Sequence, residues 1–252
     1  MLANVVGTAQ VGKDELNTLM GTSLGFDTVK PTRLIKRILQ LSTNAESIVM
    51  DFFSGSATTA QAVMELNASD GGHRKFIMIQ LPEPTPENSE ARRAGYETIC
   101  DIGRERIRRA GDKLKAAHPT LDTGFRAFKV DESNFVPLPE KITQATLPSL
   151  VDNIKPDRDD LDLFFGALLD MGLTLELPVT SEMLDGFKIL HYGEEILACF
   201  DKDIPPEILS KLAVRRPQKI IFRDAAFKNS SEKLNALEML KKFVPEEGIK
   251  IL

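Results

Sequence analysis

After Pro31 the apolar residues Leu34, Ile35, Ile38, Leu39 and Leu41 recur at helical spacing with basic residues between them. The stretch TRLIKRILQLS therefore predicts an amphipathic helix with proline at its first position. Upstream, a polar segment with scattered Gly and Thr runs to about Asp27, with a short helix around Lys13–Met20. The periodicity then changes. Ser47–Phe53, SIVMDFF, is a short apolar run of strand formers and reads as a buried strand of a parallel sheet. Ala57–Leu66 holds good helix formers, ASDGGHR is a turn-rich exit, and Lys75–Leu81, KFIMIQL, is a second strand. Strand, turn, helix, turn and strand within about 35 residues make one βαβ unit.

LPEPTPENSE follows as a proline-rich loop, and Asn88 or Ser89 is placed to cap a long helix through about Ala117. Gly124–Val130 reads as a further strand. Residues 136–156 contain several prolines and little periodicity, as expected of a linker. Beyond them, Asp159–Met171 reads as a helix, Leu173–Leu177, Phe187–His191 and Ile196–Phe200 as strands, and Pro206–Leu212 as a short helix. Lys219–Phe222 is a strand, Ser231–Phe243 a helix and Ile249–Leu252 a last strand. The expected division is 1–135, a linker 136–156 and a small α/β module 157–252, with no internal repeat.

Composition alters this picture little. The 252 residues are 42% hydrophobic and 27% charged, ordinary for a globular protein. No apolar run approaches the roughly 18 residues that span a bilayer. MLANVVGTAQ lacks the basic and apolar regions of a signal peptide. Cys100 and Cys199 match no metal or redox spacing and read as buried thiols in a reducing cytoplasm. The net charge of -5 argues against a complete nucleic-acid binder but not against a local basic face. One candidate face is the helix with Arg92, Arg93, Arg104, Arg106, Arg108 and Arg109. Glu90, Glu97, Asp101, Glu105 and Asp112 offset these arginines, several at salt-bridging spacing, so a solvated mixed face is expected. His73, His118 and His191 have no ligand-spaced partner.

Candidate chemistry concentrates at Asp51–Thr59, DFFSGSATT. A strand that ends in small residues lets a ligand approach the backbone, and the amides opening the next helix favour an anionic group. Ser54, Ser56, Thr58 and Thr59 add hydroxyls, and Gly55 supplies conformational freedom. The plain alternative is a strand-to-helix turn with capping hydroxyls. Neither G-x-G-x-x-G nor the G-K-[ST] of a phosphate loop is present. Lys30-Pro31 with Leu34 reads alone as a helix start. Gln80 closes the second strand, at the edge where doubly wound sheets contact a ribose, usually through an acid.

Together FDTVKPTRLIKRIL, SIVMDFFSGSATTAQAVMELN and GGHRKFIMIQLPE resemble the C-terminal part of the modification subunit of type III restriction–modification systems. KIIFRDAAFKNSSEKLNALEML resembles that family's tail. These are β-class DNA adenine-N6 methyltransferases, and the Lys-Pro helix preceding the cofactor turn is their circular order. The resemblance implies an α/β chain: a partial Rossmann-like S-adenosylmethionine-dependent methyltransferase domain followed by a small α/β module. It implies that Asp51, Phe52, Phe53, Ser54, Gly55 and Ser56 form the cofactor turn, with Thr58 and Thr59 opening its helix. Lys30, Pro31 and Leu34 would lie against the methionine end, and Gln80 would take the ribose-contact position. The family usually has glycine where this chain has Ala57. A right-handed helical backbone there makes alanine harmless, which is the expectation; a positive φ would cost roughly 1 kcal/mol.

The family transfers methyl through a motif of Asp or Asn, two prolines and an aromatic, which holds the flipped base. The one Pro-Pro here, Pro205-Pro206 in DKDIPPEILS, is followed by Glu207 and reads as a helix start. The expectation is thus a C-terminal, cofactor-binding portion whose catalytic motif and DNA-recognising region lie upstream. Its DNA contact would come through the complete enzyme, with an N-terminal methyltransferase portion or a restriction subunit as partner. A non-catalytic remnant or interaction module is the alternative, and a dinucleotide oxidoreductase a weaker one. An incomplete sheet would leave an open edge and an apolar face, which favours a homo-oligomer.

Overall fold

The computed structural model describes residues 7–26, 28–137 and 153–252. The chain forms two compact units, Met1–Lys129 and Val130–Leu252. Among the described residues no helix is long and apolar enough to cross a membrane.

In the first unit, α1 (Ala9–Met20) begins earlier than expected and ends at Gly21, whose φ of 71° closes the helix. Helix α2 (Thr32–Ser42) follows Pro31, which is its N-cap rather than its first residue. Strand β1 (Ile48–Phe52), helix α3 (Thr58–Asp70) and strand β2 (Lys75–Ile79) form the anticipated βαβ unit, with the strands parallel and paired from Ile48↔Lys75 to Phe52↔Ile79. Helix α3 extends past Leu66 because nothing stops it before Gly71, a left-handed C-cap whose amide donates to the Asn67 carbonyl. The return to β2 is braced by Asn67 Nδ2 donating to the Arg74 carbonyl at 2.9 Å and by Arg74 Nη2 on Asp70 Oδ2 at 3.0 Å.

The strands differ from the expected fully buried pair. Each alternates exposed and half-buried residues. Val49, Phe76 and Met78 pack with the residues of α2, α3 and α5 (Ile99–Ala117), including Leu39, Val63, Met64 and Ala110. On the opposite face Ile48, Met50, Phe52, Ile77 and Ile79 are exposed, Ile48 by 64% and Phe52 by 63%. A parallel strand is normally covered on both faces. Among the described residues this face has no cover.

The long helix expected from Ser89 is two helices. Ser89 Oγ accepts from the Arg92 amide and caps α4 (Glu90–Arg93). Gly95, at φ 91°, then turns the chain out of the helix. Thr98 and Asp101 form a reciprocal capping box that starts α5. Helix α5 places Ile102 against Leu16 and Met20 of α1, and Ile107 and Ala110 against Ala60 and Met64 of α3. Gly124–Val130 is not a strand; Phe125 packs beside Ala110 while Val130 is 98% exposed.

Of the expected linker 136–156, residues 138–152 lie outside the described residues. In the second unit Phe135 and Ile154 form an antiparallel bridge, with the Val136 amide donating to the Asn153 carbonyl at 2.7 Å. Helix α6 (Asp160–Asp170) is started by a capping box of Asp159 with Asp162. A five-stranded sheet follows in the order β3 (Val179–Leu184), β4 (Phe187–Tyr192), β5 (Ile196–Cys199), β6 (Lys219–Phe222), β7 (Ile249–Ile251). The first two pairings are antiparallel and the last two parallel. Leu173–Leu177 is not a strand; Leu173 and Leu175 pack as loop residues on the α6 side of the sheet. The strand unforeseen from sequence is β3, a largely exposed edge strand, joined to β4 by Asp185-Gly186 at φ 49° and 91°. Positive φ at both residues is what a two-residue hairpin requires. Helix α7 (Pro206–Val214) starts at Pro206, as expected, and α8 is Ser230–Leu240.

Candidate cofactor turn

The turn between β1 and α3 is held in an uncommon backbone conformation. The Ser54 amide, two residues past the end of β1, donates to the Ile79 carbonyl of β2 at 3.0 Å. Phe53, Gly55 and Ala57 then take positive φ, at 63°, 54° and 60°. Ala57, with ψ 37°, is the left-handed N-cap of α3. The expected harmless, right-handed Ala57 is therefore incorrect: the position is one that favours glycine, and alanine there costs roughly 1 kcal/mol. Its methyl group is 98% buried in the cluster of Ala60, Ile107 and Ala110, given an exposure of 2%. Burying one carbon stabilises by about 0.8 kcal/mol, close to an offset. Phe53 has no such compensation. Its ring is 76% exposed, and a bulky residue at φ 63° is strained. Strain of this kind collects at functional sites.

The hydroxyls at this turn point inward. Ser56, Thr58 and Thr59 are buried. Ser56 Oγ and Thr58 Oγ1 accept from Arg106 Nη1 at 3.0 and 2.7 Å, and Thr59 Oγ1 donates to Asp51 Oδ2. Gln80 Oε1 accepts from the Gly55 amide at 2.8 Å, so its side chain closes the turn from β2. The outward surface consists of the backbone around Gly55 and the exposed Phe52 and Phe53, while the residues that open α3, Thr58 to Ala60, are buried. A Cβ built on Gly55 meets nothing within 4 Å, so space above it is open. Below, Gly103 of α5 lies close beneath the turn: its Cβ would stand 3.3 Å from the Gly55 carbonyl and 3.5 Å from the Ala57 Cβ.

The Lys-Pro segment is brought to the same place. Lys30 is exposed, Pro31 buried and Leu34 half-buried. The Thr32 amide donates to Glu15 Oε2 at 2.8 Å, and Thr32 Oγ1 accepts from Arg106 Nη2 at 3.3 Å. Arg106 Nε donates to Gln61 Oε1 at 2.8 Å. One guanidinium thus joins the start of α2, the turn and α3. Its side chain is fully buried. Burial lowers its pKa to about 10, with Glu15 and Glu65 acting against the shift, so it stays cationic at neutral pH.

Sequence reading placed Arg106 on a solvated charged face, and here the structure corrects it. Arg104, Arg108 and Arg109 do lie in such a face, paired with Asp101 and Glu105. Arg106 belongs to the other face, and the signal was available: Gly103, Arg106, Ile107, Ala110 and Gly111 follow the i, i+3, i+4, i+7, i+8 spacing of a buried stripe. Neither cysteine lies in the turn, although Cys100 Sγ donates to the Gln80 carbonyl at 3.5 Å. Burial raises the Cys100 thiol and pushes Cys199 up to about 12, so both are protonated.

The turn and the Lys-Pro segment lie within a stretch that matches a known family. Residues 10–90 match a family described as DNA methylase. The chain is 44% identical over 126 residues to the type III restriction-modification enzyme StyLTI Mod subunit of Salmonella typhimurium, covering 49% of this chain and 19% of that protein. It is 28% identical over 235 residues to the EcoP15I Mod subunit of Escherichia coli, covering 90% of this chain and 35% of that one. Against the EcoPI Mod subunit of Escherichia phage P1 it is 28% identical over 250 residues, 94% of this chain and 38% of that protein. The chain therefore spans between 19% and 38% of the length of these relatives. Its residues 10–90, which contain the strained turn and both segments tied to it, match the DNA methylase family, and the chain is similar over most of its length to part of type III Mod subunits.

Proposed function

We propose that the first unit is the S-adenosylmethionine-binding portion of a site-specific DNA adenine-N6 methyltransferase of a type III restriction–modification system. The observation carrying this reading is the turn itself: Phe53, Gly55 and Ala57 at positive φ between a parallel strand and a helix N-terminus. Successive amides in such a conformation, at the positive end of a helix dipole, suit the carboxylate of an amino-acid moiety. The open space over Gly55 admits a ligand against the backbone, and Phe52 and Phe53 offer apolar faces beside it. The donor set fits S-adenosylmethionine, with Lys30, Pro31 and Leu34 toward its methionine end and Gln80 toward its ribose. Bound there, the cofactor supplies a methyl group on a sulfonium.

Ser54, Gly55 and the first residues of α3 act through the backbone, whereas Ser56, Thr58 and Thr59 shape the turn from inside. Gln80 Oε1 is held by the Gly55 amide, so Nε2, which also donates to the Leu81 carbonyl at 3.3 Å, is the group left to serve a ribose. Methyl transfer to DNA belongs to a complete enzyme. The one Pro-Pro of these 252 residues starts α7, with Glu207 in place of an aromatic. DNA recognition, and contact with an N-terminal methyltransferase portion or restriction subunit, are part of the same proposal.

Titration calorimetry of the chain with S-adenosylmethionine tests it. Binding in the micromolar to millimolar range, about -8 to -4 kcal/mol, is expected, with no methyl transfer to DNA by the chain alone. No heat at about millimolar cofactor would leave the second reading, an interaction module, which the bare apolar face of β1 and β2 favours. Methylated DNA from the chain alone would refute the assignment of catalysis to residues elsewhere.

A further inference from the structure

We propose that Arg106 is a positioning residue of the cofactor pocket, whose guanidinium holds the turn 54–58 and the Lys30–Thr32 segment in the one arrangement that lets both face a single ligand. The proposal rests on the reading of this turn as a cofactor site.

Three observations carry it. First, Arg106 bridges segments far apart in sequence. It reaches Thr32, Ser56, Thr58 and Gln61 from α5, and Pro31 and Lys30 directly precede Thr32. The two sides of the proposed pocket thus share one planar donor group, and lysine could not reproduce its fork of donors. Second, its acceptors are neutral. Each of its four partners is a hydroxyl or an amide oxygen, so among the described residues a full cation is kept in the interior without a carboxylate in hydrogen-bond contact. A buried charge placed on neutral groups is costly. Stability alone would be better served by an apolar side chain of this size. What the guanidinium does that an apolar residue cannot is fix the direction of three hydroxyls at once. Third, two of those hydroxyls lie on the strained part of the turn. Ser56 and Thr58 flank the left-handed Ala57. Such a conformation persists only when its surroundings over-determine it. Arg106 grips both flanks while Gly103, one turn earlier on the same helix face, touches the turn from below.

The test uses the whole chain with Arg106→Met, Arg106→Lys and Thr32→Val, and Leu66→Ala as a control. Leu66 is buried in the cluster of α2 and α3 at the far end of α3 from the turn. Thr32→Val removes a single acceptor with little change in size, and it keeps the test open should Arg106→Met not fold. Two readouts are needed: S-adenosylmethionine affinity by calorimetry, and amide hydrogen exchange without ligand. The expected results are affinity at least about tenfold weaker for Arg106→Met, several-fold weaker for Thr32→Val and only partial recovery with Arg106→Lys. Exchange should quicken together at residues 30–35 and 54–59. Leu66→Ala, with a lowered melting temperature, should keep its affinity within about twofold. Wild-type affinity in Arg106→Met, or in Thr32→Val when Arg106→Met does not fold, would overturn the positioning role, as would an equal loss in Leu66→Ala. Failure of the wild-type chain to bind the cofactor would sink the cofactor reading instead. The exchange arm still decides whether Arg106 couples the two segments: unchanged protection at either one refutes it.

Discussion

The two units use parallel strands under opposite conditions. In the second unit the sheet is covered on both sides. Ile189, Leu197, Cys199, Ile220 and Phe222 pack with residues of α7 and α8, while Leu190, Tyr192, Ile196, Ala198 and Ile221 pack with α6. In the first unit β1 and β2 are equally apolar in sequence, yet only one face is packed. The strands that complete a sheet within their own unit are built for stability. The pair that ends in the strained turn leaves apolar surface for another layer. The difference teaches that an apolar run specifies a strand, not what covers it.

The comparison is broken most directly by truncating one side chain in each unit. Phe164 is fully buried and meets Tyr192 and Phe200 edge-on, at ring-centre distances of 6.4 and 6.3 Å. Phe164→Ala should destabilise the second unit by about 3–5 kcal/mol in urea unfolding. Phe52→Ala, on the bare face, should change the unfolding of an isolated chain by less than about 0.5 kcal/mol. Similar losses at both sites would mean that the β1–β2 face is covered after all.

A second prediction sharpens what the bare face does. Exposed apolar residues at alternate positions on two neighbouring strands favour association. The chain should be a dimer or larger by light scattering. Met50→Lys should return it to monomer, with a melting temperature within a few degrees of wild type. A wild-type chain that stays monomeric would leave the face to a different partner and remove self-association from the picture.

Much of this contrast was legible in the sequence. The βαβ unit, α6 and the strands β4 to β7 follow from periodicity and from Gly and Pro placement. What failed did so for physical reasons. Val179–Leu184 is an edge strand with polar outward residues, so it lacks the apolar run of a central strand, although Asp185-Gly186 announced its hairpin. Gly124–Val130 has strand composition yet is not a strand. Ala57 was misread because propensity favours alanine in a helix, whereas here it is the left-handed residue that closes the turn before α3. The candidate residues were found at the turn. Their orientation was not, because a serine or threonine that caps, binds a ligand or meets a buried arginine looks the same in sequence.

Ala57 supplies the third prediction. Replacing it by glycine relieves left-handed strain of about 1 kcal/mol but loses a buried methyl group worth about 0.8 kcal/mol and loosens the unfolded chain less favourably. Ala57→Gly should therefore shift stability by no more than about 1 kcal/mol. Ala57→Val adds a β-branched side chain to a left-handed, closely packed position and should cost at least about 2 kcal/mol. A stable Ala57→Val in thermal melts would show that the turn relaxes easily, contrary to a braced conformation.

The smallest effect is expected from acid, and it has the same sign in both units. In the first unit Arg109 Nε on Glu105 Oε1 at 2.7 Å, helped by Arg108, holds the Glu105 carboxyl below its ordinary 4.5. In the second, Arg215 does the same for Glu182, with His191 contributing. A carboxyl whose folded pKa is depressed adds stability that is complete above its unfolded value and is lost as pH falls through the folded one. Both units should therefore weaken as pH drops below about 4.5, and neither should weaken through these groups between pH 5 and 8. Partly exposed pairs contribute only about 0.2–1 kcal/mol each. Glu105→Gln should flatten the acid limb of the first unit's urea midpoint against pH and leave that of the second unit unchanged. A Glu105→Gln chain with an undiminished acid limb would show that the ion pairs of Glu105 with Arg108 and Arg109 add nothing measurable to the stability of the first unit.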